Sequence, residues 1–198
     1  MFAINTQKSR EIVSCELRFV TLRCHNRASL EVGCWLDIVD PILAQADFHE
    51  SVRTALSFAG VAHRVTLVGE QSPAGVETLA RNRPRWEFGF IDGDHESAAP
   101  RNDAIAFADH VAPHVLVLFH DAVAPTVGAA LDALARRGWQ TAIYHTAQIL
   151  GVAYRGDVRP IPHTPDSTIH WKTPHICNAF ARDDRHQTKR VGRLRGSG

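Results

Sequence analysis

Phe88-Gly-Phe-Ile-Asp-Gly-Asp-His95 and, one helical stretch later, Val115-Leu-Val-Leu-Phe-His-Asp121 are the two segments on which the reading of the fold turns. Each is a short apolar run that ends in acidic and imidazole side chains. Between them Ala104, Phe107, Ala108 and Val111 recur at helical spacing, with Pro100 placed where a first turn tolerates it. Strand, helix and strand in that order make a crossover unit of a parallel sheet. The run from Val115 to Phe119 shows no alternation, as expected of a strand covered on both faces.

The same alternation extends outward. Val65-Thr-Leu-Val68 reads as a strand, and Val32-Gly-Cys-Trp-Leu36 as another that stops at Asp37. Val52, Ala55, Leu56 and Ala59 form an apolar helical stripe closed by Gly60. Val127, Ala130, Leu131 and Leu134 form another, closed by Arg136-Arg137-Gly138, where cations meet the negative helix end. After Gly138, Gln140–Tyr144 and Ile149–Tyr154 are strands too close together to enclose a crossover helix, so they are expected to pair antiparallel. Toward the N-terminus, Glu11-Ile-Val-Ser-Cys15 reads as a short strand, while Arg18 to Ser29 is polar and weakly periodic.

With 198 residues and 44% apolar content the chain suits one compact domain, and its size makes disulfides or a structural metal unnecessary for folding. Any metal is then expected to be functional. The expected division is a domain over residues 1–158, its first thirty or so residues the least legible, followed by a proline-rich loop and basic tail over 159–198. In that tail Arg182, Arg185, Lys189, Arg190, Arg193 and Arg195 outweigh Asp183 and Asp184, which reads as a solvated, disordered segment. A net charge of +1 gives no global footprint for nucleic acid or membrane. Cys15, Cys24, Cys34 and Cys177 form no CxxC pair, and no signal-peptide core or membrane span is evident, so a reduced, cytoplasmic protein is expected.

Ligands of an open parallel sheet sit beyond the carboxyl ends of its strands. Here those ends carry Asp37, then Glu70, then Asp92-Gly-Asp-His95, then His120-Asp121. Carboxylates and imidazoles gathered on one edge are costly unless they bind hydroxyls, a cation or a metal.

The run Phe88–His95 followed by Leu116-Val-Leu-Phe-His-Asp121 resembles the fourth and fifth strand motifs of class I S-adenosylmethionine-dependent methyltransferases. The nearest branch is the small-molecule O-methyltransferases of the FIDGDH…HD type. The resemblance reaches back through Gly60–Val68 and Leu36-Asp-Ile-Val-Asp-Pro41 and forward into the antiparallel last strands, covering roughly residues 30 to 155. It implies an α/β fold, a doubly wound Rossmann-like and mostly parallel sheet with an antiparallel C-terminal hairpin. It also implies S-adenosyl-L-methionine as cofactor and a small-molecule acceptor, with methylation of a hydroxyl; a homo-oligomer stays open.

Residue by residue, the resemblance assigns Asp37 to the ribose hydroxyls, with Asp40 a rival three positions on. Glu70 and Gln71 fall beside the adenine, and Asp92 borders both cofactor and acceptor. His95 stands where a general base would act with Asp92. The divalent-cation-dependent branch places metal ligands at Asp92, His120 and Asp121, with Mg²⁺ or Mn²⁺ the ions considered. An imidazole at His120 departs from an all-oxygen set and favours softer ions than Mg²⁺. Plainer alternatives stand beside each role: solvated loop residues for Glu70 and Gln71, a polar strand end for His120-Asp121, and a helix cap for His95.

The family's glycine-rich turn after the first strand, opening with an acidic residue, aligns with Glu11, but its two glycine positions fall on Val13 and Leu17. A β-branched side chain resists the left-handed conformations that glycine allows. A local misalignment, a truncated or altered N-terminus and a lost cofactor site all remain open. Two further functions are therefore weighed: a non-catalytic methyltransferase-like module, and an NAD-dependent oxidoreductase, whose glycine fingerprint is also missing.

Overall fold

The computed structural model describes residues 19–25, 33–81, 85–164 and 168. Seven strands form one sheet: β1 (Phe19–His25), β2 (Gly33–Val39), β3 (Val65–Val68), β4 (Trp86–Ile91), β5 (Val111–Phe119), β6 (Gln140–Tyr144) and β7 (Leu150–Arg155). Their order across the sheet is β3-β2-β1-β4-β5-β7-β6. β2 is parallel to β3 and β4 to β5, whereas β1 is antiparallel to both β2 and β4, and β7 to both β5 and β6. Five strands thus share one direction and β1 and β7 oppose it, giving the mostly parallel sheet and the C-terminal hairpin expected.

Four α-helices cover the two faces: α1 (Ala46–Phe58), α2 (Ala74–Ala80), α3 (Ala99–Asp109) and α4 (Pro125–Arg136). Val52 of α1 packs with Ile38, Leu43, Leu36, Leu67 and Phe90 on one face. Val76 and Leu79 of α2, Phe107 of α3 and Leu131 of α4 join Val39, Trp86, Val117 and Phe119 on the other. Helices on both faces make the sheet doubly wound. Burial of each large apolar side chain in these two cores contributes about 1.5–3 kcal/mol.

The helix boundaries follow from the residues. Gly60 and Gly138 take φ of +72° and +82° just past α1 and α4, the left-handed stops their sequence promised. Pro100 and Pro125 sit in the first turns of α3 and α4, where a missing N–H costs nothing. In β4, Gly89 makes room for α3: a Cβ there would lie 2.7 Å from the ring of Phe107, which itself stacks on Trp86 with centroids 6.0 Å apart.

Three elements differ from expectation. Asp37 does not end a strand; β2 continues through it to Val39. β1 lies within the stretch whose polarity concealed it. As a strand hydrogen-bonded on both edges, it is held by its backbone ladder more than by an apolar pattern. α2, at seven residues, is too short to show helical periodicity. The Glu11–Cys15 strand candidate lies outside the described residues, as do most of the proline-rich loop beyond Thr164 and the basic tail.

Candidate active site

Because five strands point the same way, their carboxyl ends form one rim, and the chain leaves it through Asp40 after β2, Gly69-Glu70 after β3, Asp92 after β4 and His120-Asp121 after β5. β1 and β7 run the other way, so Phe19 and Leu150 begin at this rim: Phe19 pairs with Val39 and Ile91, and Leu150 with Tyr144. The β6–β7 loop therefore arrives beside the end of β5. There Ala122 N–H donates to the carbonyl of Ile149 at 2.9 Å.

The structure brings four of the expected side chains together. His120 Nδ1 lies 2.9 Å from Asp92 Oδ1 and 3.2 Å from Asp121 Oδ2. His95 reaches the same carboxylates from the other side, with Nε2 4.0 Å from Asp92 Oδ1 and Nδ1 3.7 Å from Asp121 Oδ2. One ligand atom each from Asp92, His95 and His120 falls within 4.8 Å of the others, a grouping able to hold a metal ion. Two nitrogens of this cluster, His95 Nε2 and His120 Nδ1, are shut off from solvent without making a hydrogen bond.

Several local devices hold this geometry. The main chain continues the β4–β5 ladder, His120 N–H donating to Ile91 O at 3.0 Å. Thr126, in the first turn of α4, donates its hydroxyl to the carbonyl of His95. Asp121 and Ile149 take φ of +50° and +35°. The first is tolerable for Asp, and the second is an outlier for a β-branched residue, so the strain sits where the two loops meet. His120 Nε2 lies 2.8 Å from Gln148 Oε1. Gln148 was not legible as a site residue, since nothing in a short loop between two strands marks it.

The other expected residues are dispersed. Asp37 is fully buried inside β2, where strand alternation turns it into the α2–α4 face, and its Oδ2 accepts from Trp86 Nε1 at 3.0 Å. The reading of Asp37 as a rim carboxylate is thus corrected; Asp40 stands at that strand end. Asp40 is itself 2% exposed, accepts from Ile42 N–H at 2.9 Å and donates its own N–H to Val68 O at 3.0 Å. Glu70 and Gln71 are exposed after β3, Glu70 accepting from the Thr78 hydroxyl at 3.1 Å. Glu11, Val13 and Leu17 lie outside the described residues.

Asp103, on α3, is also buried. Burial pushes its carboxyl above the ordinary value, the Ser72 hydroxyl opposes that shift, and the negative charge of Asp94 adds to it.

A family of proteins described as a methyltransferase domain matches residues 5–122, more than half of the chain. No curated protein matches it. Among solved structures, similar ones include a protein described as an O-methyltransferase from Klebsiella pneumoniae (18% identity, 56% of this chain and 58% of that one, TM-score 0.46). A methyltransferase from Geobacter sulfurreducens is also similar (22% identity, 60% and 57%, TM-score 0.45). So is the O-methyltransferase TomG from Streptomyces achromogenes, solved with S-adenosylmethionine (19% identity, 57% and 59%, TM-score 0.41). The chain spans less than two thirds of each of these structures. On the match over residues 5–122, the chain belongs to the methyltransferase-domain family.

Proposed function

We propose that this protein transfers a methyl group from S-adenosylmethionine to a hydroxyl oxygen of a small molecule. The observation that carries the reading is the convergence of Asp92, His95, His120 and Asp121 on one rim of the sheet in a chain of this family.

The rim offers the nucleoside end of such a donor the exposed polar side chains of Glu70 and Gln71, with Asp40 one strand away and Asp92 toward the acceptor side. Asp37 has no part in this, being sealed in the core. The methionine end falls to the segment around Glu11, outside the described residues. Bound there, the donor supplies an electrophilic methyl group on a sulfonium.

The chain's own residues handle the acceptor. Imidazole exchanges protons near neutrality, so His95 takes the hydroxyl proton. The carboxylates of Asp92 and Asp121, about one ion-pair distance away on either side, stabilise the imidazolium that results. A divalent cation held by Asp92 and His120, with His95 the third member of that grouping and Asp121 beside His120, would lower the pKa of a coordinated hydroxyl. Both effects act on an oxygen held in place, and positioning supplies much of the rate.

Titration calorimetry with S-adenosylmethionine, followed by a methyl-transfer assay on a panel of phenolic and sugar hydroxyls, tests the reading. Saturable heat and turnover are expected. Asp92→Ala should lower turnover by about 10²-fold or more, the range for losing acid–base or electrostatic assistance. Folded protein that gives no heat with the donor overturns the reading.

One observation favours a second reading, a methyltransferase-like module without turnover. The family's two glycine positions fall on Val13 and Leu17, whose side chains would crowd an approaching ligand. Saturable donor binding with no turnover of any acceptor in the wild type would favour that module over the enzyme. Family membership displaces the nicotinamide-dependent alternative.

A further inference from the structure

β7 ends at Arg155, on the side of the sheet away from the carboxylate rim, and the chain then doubles back. Gly156 turns it with φ +75°, so close under β5 that a Cβ would run into the carbonyl of Pro113. Residues 157–164, without helix or strand, return to the rim end of β6, where Ile161 and His163 meet Tyr144 and His145. Pro160 and Pro162 lack the N–H that a ladder needs, so the segment cannot zip onto β6 as a further strand. It also buries little, with Ile161 81% exposed and Arg159, Pro162 and Thr164 exposed as well. A segment of this kind is held by its polar pins.

At each end a pin consists of a backbone N–H donating to an imidazole nitrogen. Asp157 N–H donates to Nδ1 of His114, on β5, at 2.8 Å, and His145 N–H donates to Nε2 of His163 at 2.7 Å. Such a nitrogen accepts only while it carries no proton. A second proton turns each acceptor into a donor aimed at another donor, and imidazole gains that proton just below neutrality. Two contacts oppose release: the Tyr144 hydroxyl donates to Ile161 O at 2.6 Å, and the Tyr144 ring stacks on His163 with centroids 4.8 Å apart. The stack tolerates a cation, but it leaves the clash of the two N–H groups in place. Among the described residues, Tyr144 and His145 are the ionisable groups facing His163, the His145 ring with its centroid 6.3 Å away. Asp157 and Arg155 flank His114, the guanidinium of Arg155 lying over Trp139.

We propose that residues 156–164 form a pH-operated strap, fastened at its two ends by unprotonated His114 and His163, that braces the β6–β7 loop at the carboxylate rim and lets go on acidification. The fastened form binds fewer protons than the released one. Fastening is therefore complete above the imidazole range and is lost as pH falls through it. His145 opens the loop whose Gln148 lies 2.8 Å from His120, so release loosens one wall of the rim. The proposal stands on the fold and does not depend on methyl transfer.

Hydrogen exchange of the full chain, read by mass spectrometry between about pH 8 and about pH 5.5 and corrected for the intrinsic pH dependence of exchange, tests it. Protection in peptides containing the amides of His145 and Asp157 should fall about 10-fold by one unit below the ordinary imidazole value of about 6.5, while β4 and β5 keep theirs. His114→Asn combined with His163→Gln replaces each nitrogen with an uncharged acceptor oxygen and should give protection that is level across the range. His163→Ala alone, which needs no replacement acceptor, should leave His145 unprotected even at about pH 8. Wild-type protection at the two amides that is absent at about pH 8, or that does not change with pH, overturns the strap. So does loss of protection in β4 and β5 in step with it, a double variant with the wild-type pH dependence, or full protection of His145 in His163→Ala.

Discussion

Asp103 and Asp37 show two ways in which a core accommodates a carboxyl group. Asp37 is matched to the indole N–H of Trp86, a donor that burial would otherwise strand. Asp103 is held above its ordinary value of 3.8 by burial, with Ser72 opposing and Asp94 adding to the shift. Between that ordinary value and the raised folded one, the native state keeps a proton the unfolded chain has released, so stability falls as pH rises through the window. Asp103→Asn removes the titrating group. Denaturant melts across about pH 4 to 7 should show the wild type losing stability upward through the window, with a flatter profile and a more stable protein near neutrality in the variant. Identical pH slopes in the two proteins would contradict this assignment.

At the scale of elements, close approach is the controlling feature. Gly89 lets the ring of Phe107 lie against β4, and Gly89→Val would drive a branched side chain into that ring. Overpacking of this kind costs about 1–3 kcal/mol, read as a lower urea midpoint with an unchanged slope. Thr21→Pro tests the central strand differently. Proline removes a ladder donor from a strand bonded on both edges, so a loss of about 3 kcal/mol or more is expected from thermal or urea melts. A variant as stable as the wild type would mean that β1 is not part of the sheet.

Those two strands also mark the limits of the sequence. β4 and β5 were legible because an unbroken apolar run beside a helix-period stripe leaves few alternatives, and the acidic groups that follow them were legible as strand ends. β2 was found but cut short at Asp37, because a buried carboxylate looks like a terminus until its indole partner, distant in sequence, is seen. Gln148 and the direction of β1 were out of reach: a loop amide carries no pattern, and strand polarity is decided by which neighbours a strand finds.

In the molecule as a whole, the rim divides by depth. Toward β4, β5 and the β6–β7 loop, Asp92, His95, His120, Asp121 and Gln148 face one another within a few ångströms. Toward β2 and β3 the polar groups are either exposed, as Glu70 and Gln71 are, or already engaged in capping, as Asp40 is. The β4–β5 side is assembled from preordered groups. No helix among the described residues is long and apolar enough to cross a membrane.

β1 alone joins β2 and β3 to the other four strands within the sheet. Its withdrawal would bare two backbone edges facing each other across a gap of about 10 Å, twice the spacing between neighbouring strands. Such a slot admits one extended peptide in its place, and paired unprotected edges of this kind are also where chains of the same sequence recruit each other into aggregates.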